Sequence, residues 1–430
     1  MQYSHNICQL SLASFQKIGF DIPFDHPLVK LADNIPWELL VDKISSRFAK
    51  CGRRSKSIRM MLGLELAKTF YDVSDEMIIS MLQTDVAVMY FCGFTAPIGI
   101  DIPDSSSLTK FRNRLDKETL EEISKLSIQI VVRKLHPRKV TQVASDSSCL
   151  PANITYPTDT KLLTTAIGHL NDVVDELREK EFDIINRGKV KIRKFLNVFN
   201  RKRIKSENEI KRAKRKLIIQ TKRIIRLIKK HAGELSDRSK QTVKKSLNIL
   251  SQQVEMYKEK TKRIKERIVS FHEDKLRPIF RGKLQAVTEF GKKMSIMVVG
   301  QKVIIPTQTS YDNFSDTLIP LKDIEVYKNI TGRYPKEYSA DRGMHSPKNH
   351  RLLEKINCID GIQYRGKIPK SANFPKNYKR LCNNRSCVEG KIGTLKTRYG
   401  MSKIRYKSGN TDIRFHLGIL LHNFNWYVRN

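Results

Sequence analysis

No apolar run in this chain approaches the roughly 18–20 residues that a membrane-spanning helix needs. The opening residues, Met1-Gln-Tyr-Ser-His-Asn6, lack a basic stretch leading into a long apolar one, so no secretory leader is expected. Cysteines are few and unpaired in sequence: the seven, at 8, 51, 92, 149, 358, 382 and 387, form no Cys-x-x-Cys motif. Their odd, scattered arrangement argues against a zinc ribbon and fits a reducing compartment. Cys382 and Cys387 have no Cys/His pair following at a zinc spacing, so metal binding there is not expected. Acids are scarce, with 44 Asp and Glu against 81 Lys and Arg, a formal charge of +37 on 430 residues. Such an excess repels itself unless a polyanion is present. Nucleic acid is the expected partner, and an anionic membrane surface is the disfavoured alternative. The expected location is the cytoplasm, in association with the nucleoid.

Hydrophobic residues make up 40% of the chain, enough for real cores, and the length suits two or three domains. Residues 1–137 read as a helical N-terminal domain. Ser57–Phe70 carries apolar residues at Ile58, Met61, Leu62, Leu64, Leu66 and Ala67, and Ser74 can cap the helix that follows. Glu118–Leu135 opens acidic and closes basic, as the helix dipole favours. Helix, tight turn, helix is a DNA-reading geometry, and it is also how any small helical domain packs. After Pro137, Lys139–Ser145 alternates as a strand that ends at Asp146-Ser-Ser.

Residues 162–277 contain no proline and few glycines, and they read as a basic helical insertion. Ile210, Ala213, Leu217, Thr221, Ile224 and Ile228 recur at steps of three and four. So do Val243, Leu247, Leu250, Val254, Tyr257, Thr261, Ile264, Ile268 and Phe271. These are coiled-coil seams, and His231–Asp237 suits the turn between the arms of an antiparallel hairpin. The first arm, Arg201–Lys230, holds 14 Lys and Arg against 2 Glu. That density exceeds what solubility needs and suits phosphate contacts.

From residue 278 the β pattern returns. Strands are expected at Lys283–Glu289, Lys293–Val299, Lys302–Ile305, Glu337–Ala340 and Ile359–Gln363. Helices are expected at Thr317–Gly332, Pro347–Asn357, Arg380–Tyr399 and Asp412–Val428. His416 and His422 on the last helix read as satisfied histidines rather than ligands. On Arg380–Tyr399, steps of four and seven bring Arg385, Glu389 and Lys396 to nearly one face. A carboxylate between two cations suits a divalent metal beside phosphates, although an Arg–Glu pair at this spacing is also a common exposed pair.

Three acids now stand in order: Asp146 after a first strand, Asp341 after a later strand, and Glu389 on a following helix. The sequence resembles the DDE transposases of bacterial insertion sequences, in the insertion-sequence-five-like group with a Tyr-x2-Arg-x3-Glu-x6-Lys signature. The resemblance runs through Asp25-His-Pro-Leu-Val-Lys-Leu-Ala32, Ile58-Arg-Met-Met-Leu-Gly63, Ser74-Asp-Glu76 and Tyr90-Phe-Cys-Gly93. It continues through Asp146-Ser-Ser, Asn153–Asp159, Glu289-Phe-Gly-Lys292, Tyr334-Pro335 and Ala340-Asp-Arg-Gly343 to Arg385, Glu389 and Lys396. Two positions depart from it: Cys382 stands at the signature Tyr, and Met344 follows Asp-Arg-Gly where an aromatic is expected.

The resemblance implies an α/β fold with an RNase H-like catalytic core at 138–161 and 278–430. The helical-hairpin insertion at 162–277 interrupts that core, and an all-α domain at 1–137, expected to bind transposon ends, precedes it. It implies that Asp146, Asp341 and Glu389 are the catalytic and metal-holding residues, with Asp146 bridging two Mg²⁺ ions and Mn²⁺ able to substitute. Arg385 and Lys396 are implied to grip phosphates, with Lys292 and Arg342 as further DNA contacts. Asp159 is read either as orienting the site or as capping a turn. The implied chemistry is hydrolysis that frees a 3′-hydroxyl at the element's end, then attack of that hydroxyl on target DNA. No covalent protein intermediate is involved, so a Ser or Tyr nucleophile motif is not required. Terminal inverted repeats and target DNA are the expected partners, with a homodimer or larger assembly on DNA and no membrane. The alternatives are another RNase H-like DNA nuclease and a non-enzymatic basic coiled-coil DNA-binding protein.

Overall fold

The computed structural model describes residues 25–48, 55–94, 102–182, 184, 188–261, 264–280, 288–365, 378–405 and 410–429. The reading of Met1–Asn6, Cys8 and Cys51, and most of the strand expected at Lys283–Glu289, lie outside them. The chain forms two compact units, one built from 1–152 with 292–430 and the other from 153–291.

The first unit begins with helices α1 (Pro27–Asn34), α2 (Trp37–Ser45), α3 (Ile58–Tyr71), α4 (Asp75–Thr84), α5 (Val86–Phe91), α6 (Ser105–Arg112) and α7 (Lys117–Arg133). Several of their starts are set by side-chain caps, because the first backbone N–H groups of a helix have no partner within it. Ser57 caps α3, Ser74 caps α4, Asp85 caps α5 and Asp116 caps α7. After the single turn α8 (Pro137–Val140), strand β1 runs from Gln142 to Pro151. The expectation that the strand ends at Asp146 is corrected: only Gln142–Ser145 pair with a parallel neighbour, but the extended backbone goes on for six more residues.

The sheet of this unit is completed by β3 (Thr288–Val299, from Lys292 onward), β4 (Val303–Ser310), β5 (Glu337–Ala340) and β6 (Ile359–Ile362). Its order is β4-β3-β1-β5-β6. β1, β5 and β6 are parallel, while β3 and β4 form an antiparallel hairpin with a register shift at Ser295/Ile296. Gly300 N–H donates to Gln142 O and Ser145 Oγ to Ile296 O, an opposed order that makes β3 antiparallel to β1. Helices α13 (Ile319–Thr331), α14 (Pro347–Lys355), α15 (Tyr378–Asn384), α16 (Ser386–Arg398) and α17 (Thr411–Arg429) accompany the sheet. The helix expected at Arg380–Tyr399 is therefore two helices with Arg385 at the joint.

The apolar helix α17 packs on α3, α7 and β4, so the N-terminal helices and the sheet share one core. Its His416 and His422 are buried. Burial lowers both imidazoles to about 4, and His416 Nδ1 meets Ser124 Oγ at 2.6 Å.

The second unit holds α9 (Asp159–Glu179), α10 (Lys189–Arg201), α11 (Glu207–Lys229) and α12 (Asp237–Lys258). It also holds β2 (Arg277–Phe280), which pairs antiparallel with Thr288–Gly291 at the start of β3. The expected two-armed hairpin is present as α11 and α12, joined through a short 3₁₀ turn at Ala232–Glu234. It is not alone: α9 packs on both arms through Leu163, Ala166, Leu170, Val174 and Leu177, making a three-helix core. The second arm also ends earlier than expected. Lys260 and Glu266 adopt positive φ, which an α-helix excludes. Ile268 and Phe271 still pack on the bundle, so their helical spacing in the sequence comes from burial without helix. Among the described residues no helix is long and apolar enough to cross a membrane.

Candidate active site

The site is built where β1 and β5 lie side by side. Ser145 and Ala340 are register partners, so the next residue on each strand is an acid, Asp146 and Asp341. Neighbouring strands are about 4.8 Å apart, which places the two backbones that carry these acids next to each other. Side chains alternate along a strand, so Asp146 shares a face with Gln142 and Ala144, and Asp341 with Glu337 and Ser339. Those four residues line a small crevice whose other wall is Asn384 of α15 and Cys387 of α16. Both acids thus lie on the face that the two helices cover. Gly361 in β6 allows this approach: a Cβ there would come within 2.9 Å of Leu381 Cβ.

Arg385, at the joint of α15 and α16, reaches back over this face. Its Nη1 lies 2.8 Å from Glu389 Oε1, one turn on, and 3.7 Å from Asp341 Oδ1. One guanidinium therefore bridges the second and third acids of the sequence-derived set. α16 itself packs on β1, the strand that carries the first. Arg385 Nε is buried with no acceptor among the described residues. Asp146 Oδ1 accepts from Ser147 N–H at 2.7 Å, and Asp341 Oδ1 from Arg342 N–H at 2.7 Å.

The donor set is three carboxylates, the hard oxygens that Mg²⁺ takes. Among the described residues, no three such side chains are drawn together tightly enough to hold an ion as they stand. The positive charge between Asp341 and Glu389 is supplied by Arg385. The donor chemistry therefore fits a divalent ion, and binding one would require Glu389 to exchange Arg385 for it.

The remaining sequence-derived residues are placed as follows. Lys396 sits in the last turn of α16, half-buried, and Arg342 is exposed in the 3₁₀ turn after Asp341. Lys292 points elsewhere: its ammonium is buried 2.5 Å from Asp412 Oδ2 and 4.9 Å from the Tyr311 ring. Asp159 opens α9 in the second unit, where Lys214, Gln253 and Arg267 surround it. Burial pushes its carboxyl up, but these three partners outweigh burial and hold it below the usual range. Cys382, at the signature Tyr position, lies one turn after Tyr378, whose hydroxyl donates to Ile362 O at 3.2 Å. Met344 is buried, with its sulfur 3.9 Å from Tyr338 Oη.

Several groups around the site had no periodic or motif signal in the sequence. His345, four residues after Asp341, meets His350 Nε2 at 2.7 Å, and His350 Nδ1 in turn meets Asp360. Tyr364 stacks on His350, 4.6 Å between ring centres, so the turn after Asp341 is tied to α14 and β6. Asp316 stands beside Ser147 and Lys293, in a stretch whose sequence reads only as a turn.

The second unit adds a different surface. Lys211, Arg215, Lys222, Arg226 and Lys229 follow each other at steps of four, seven, four and three along α11, all exposed. They form a stripe of about 27 Å at 1.5 Å per residue. None of the five has an ion pair among the described residues.

A family model described as a transposase domain (DUF772) matches residues 17–114, about a quarter of the chain. An uncharacterized protein, ORF8 in the nfe locus of Rhizobium meliloti, is 29% identical over 179 residues, covering 39% of this chain and 84% of that protein. No solved structure matches. The matched segment contains α1 to α6, the helical part that precedes the sheet, and its similarity supports a transposase.

Proposed function

We propose that this chain is a DNA transposase with an RNase H-like core, acting at the ends of an insertion sequence of the insertion-sequence-five-like group. One observation carries the reading: Arg385 joins Asp341 to Glu389 on the sheet face that Asp146 shares. Asp146 and Asp341 follow register partners on two adjacent parallel strands, and Arg385 ties Asp341 to Glu389 on the following helix. The match at 17–114 supports the same class independently.

In this reading Asp146, Asp341 and Glu389 hold Mg²⁺, for which Mn²⁺ can substitute. A pair of such ions supplies activation of the attacking oxygen and stabilisation of the departing one. The protein groups do the rest. Arg385 releases Glu389 and turns its buried Nε–H and freed Nη1 toward a phosphate oxygen. Leaving such a donor unsatisfied costs about 1–3 kcal/mol, so an arriving phosphate relieves a strain already present. Lys396 and exposed Arg342 extend the phosphate contacts. Lys292 instead fixes α17 to the sheet through Asp412. The stripe on α11 tracks a DNA backbone, and two ends held at once call for a dimer or larger assembly on DNA.

The test is strand cleavage by the purified chain on duplexes carrying the flanks of its own gene, with Mg²⁺ or with EDTA. The reading expects Mg²⁺-dependent nicks that leave a 3′-hydroxyl at the element boundary. Binding without any metal-dependent nick would leave a basic DNA-binding protein in its place.

A further inference from the structure

A fourth carboxylate, Asp316, stands between the strand that carries Asp146 and the turn that Asp341 caps. It opens the 3₁₀ turn Asp316–Leu318 that leads into α13. Its Oδ1 accepts from Ser147 Oγ at 2.9 Å and from Lys293 Nζ at 2.8 Å. Ser147 is also the residue whose N–H donates to Asp146 Oδ1, at 2.7 Å. On its other side, Asp316 Oδ2 faces Gly343, where a Cβ would stand only 3.3 Å from it. Gly343 lies in the 3₁₀ turn that Asp341 caps. One carboxylate thus touches the residue after Asp146 and fills the space beside the turn after Asp341.

We propose that Asp316 is a positioning residue for the metal-holding pair, acting through Ser147 on Asp146 and through Gly343 on the Asp341 turn. This rests on the reading of Asp146 and Asp341 given above. The chemistry calls for a carboxylate here. Oδ1 accepts two donors, one of them a cation, and the ammonium keeps the extra acid from repelling Asp146. Lys293 is itself held, since its side chain is 8% exposed and it also donates to Phe314 O at 2.7 Å. The chain Lys293–Asp316–Ser147–Asp146 therefore runs from a buried anchor on β3 to the first acid on β1. A Cβ at Gly343 would press on Asp316 Oδ2 and shift one against the other by a few tenths of an ångström.

The test measures Mn²⁺ affinity by electron paramagnetic resonance titration of the full chain, alongside end binding in EDTA and thermal stability. Loss of a group that orients a metal ligand typically weakens metal binding 10- to 100-fold. Ser147→Ala and Asp316→Asn are each expected to weaken Mn²⁺ binding by about 10-fold or more. Binding to DNA in EDTA stays unchanged, and Ser147→Thr, which keeps the hydroxyl, restores affinity. If both variants bind Mn²⁺ like the parent while Asp146→Asn does not, the positioning role is overturned and the site stands. If Asp316→Asn abolishes binding and Ser147→Ala leaves it intact, Asp316 is a ligand and the positioning role is again overturned. If Asp146→Asn also binds normally, the site itself fails, and this inference with it.

Discussion

The second unit and the N-terminal helices of the first arrange their charge in opposite ways. Residues 153–291 hold 36 Lys and Arg against 17 acids, net +19, with a stripe of α11 cations facing outward. Residues 1–152 hold 19 against 17, net +2, and there Lys68 and Arg112 are turned inward onto acids. Arg112 lies 2.5 Å from both Glu65 and Asp75, Lys68 also reaches Asp75, and Glu65 is fully buried. Arg414 and Lys292 are closed onto Asp72 and Asp412 in the same unit. Closed pairs of this kind fix a scaffold and carry no net attraction for a polyanion. An open stripe does the reverse, since unpaired cations attract a polyanion and release its counterions on binding. The nearly neutral N-terminal helices therefore have little electrostatic capacity for DNA, whatever sequence they read.

Four changes bear on this contrast. The largest effect belongs to the acids at the sheet. Asp146→Asn, Asp341→Asn and Glu389→Gln are each expected to lower end cleavage at least about a thousandfold, roughly 4 kcal/mol, without loss of DNA binding. Full activity in any one of them removes that residue from the site. Next is the closed network. Arg112→Ala takes from buried Glu65 its guanidinium partner and leaves Asp75 to Lys68, and should cost about 3–5 kcal/mol in urea unfolding. Exposed Lys211→Ala should change stability by less than about 0.5 kcal/mol, and comparable losses would erase the distinction between the units.

The third change strips the stripe. Replacing Lys211, Arg215, Lys222 and Arg226 with Gln should reduce the slope of log affinity against log salt by about 3–4, at roughly 0.9 per phosphate contact. An unchanged slope would move DNA binding elsewhere. The fourth effect is set by His416 and His422, which burial holds near 4 in the folded chain. The unfolded chain takes up their protons first as the pH falls below the ordinary value of about 6.5. Stability should therefore be flat above that pH and decline toward pH 4, by about 2 kcal/mol per histidine at pH 5. A denaturation midpoint that does not move between pH 7 and pH 5 would contradict it.

Much of the fold was legible because its signals are local. The cap Ser74 marks a helix start where the sequence places it, and the turn read at His231–Asp237 holds Ser236, which caps α12. The strand before Asp341 and the helix that carries Glu389 were readable from alternation and from steps of three and four. What was not legible depends on contacts between distant segments. The third helix of the bundle, α9, has the same apolar spacing as any amphipathic helix, so its partner could not be read from it. The break at Lys260 comes from backbone conformation rather than from Gly or Pro. Lys292 was implied as a DNA contact, and only Asp412, 120 residues later, shows where it is held. Asp316 had no motif at all, and its role emerges only from Ser147, Lys293 and Gly343 meeting around it.

The central claim is that three distant segments share one metal-holding centre, and iron-mediated cleavage of the polypeptide tests it most directly. With Fe²⁺ in place of Mg²⁺, hydrogen peroxide is reduced at the ion to hydroxyl radicals that cut the backbone beside it, and ascorbate recycles the Fe³⁺. The account predicts cuts near residues 146, 341 and 389 together, all suppressed by excess Mg²⁺. Cuts confined to one of these regions, or unaffected by Mg²⁺, would contradict it.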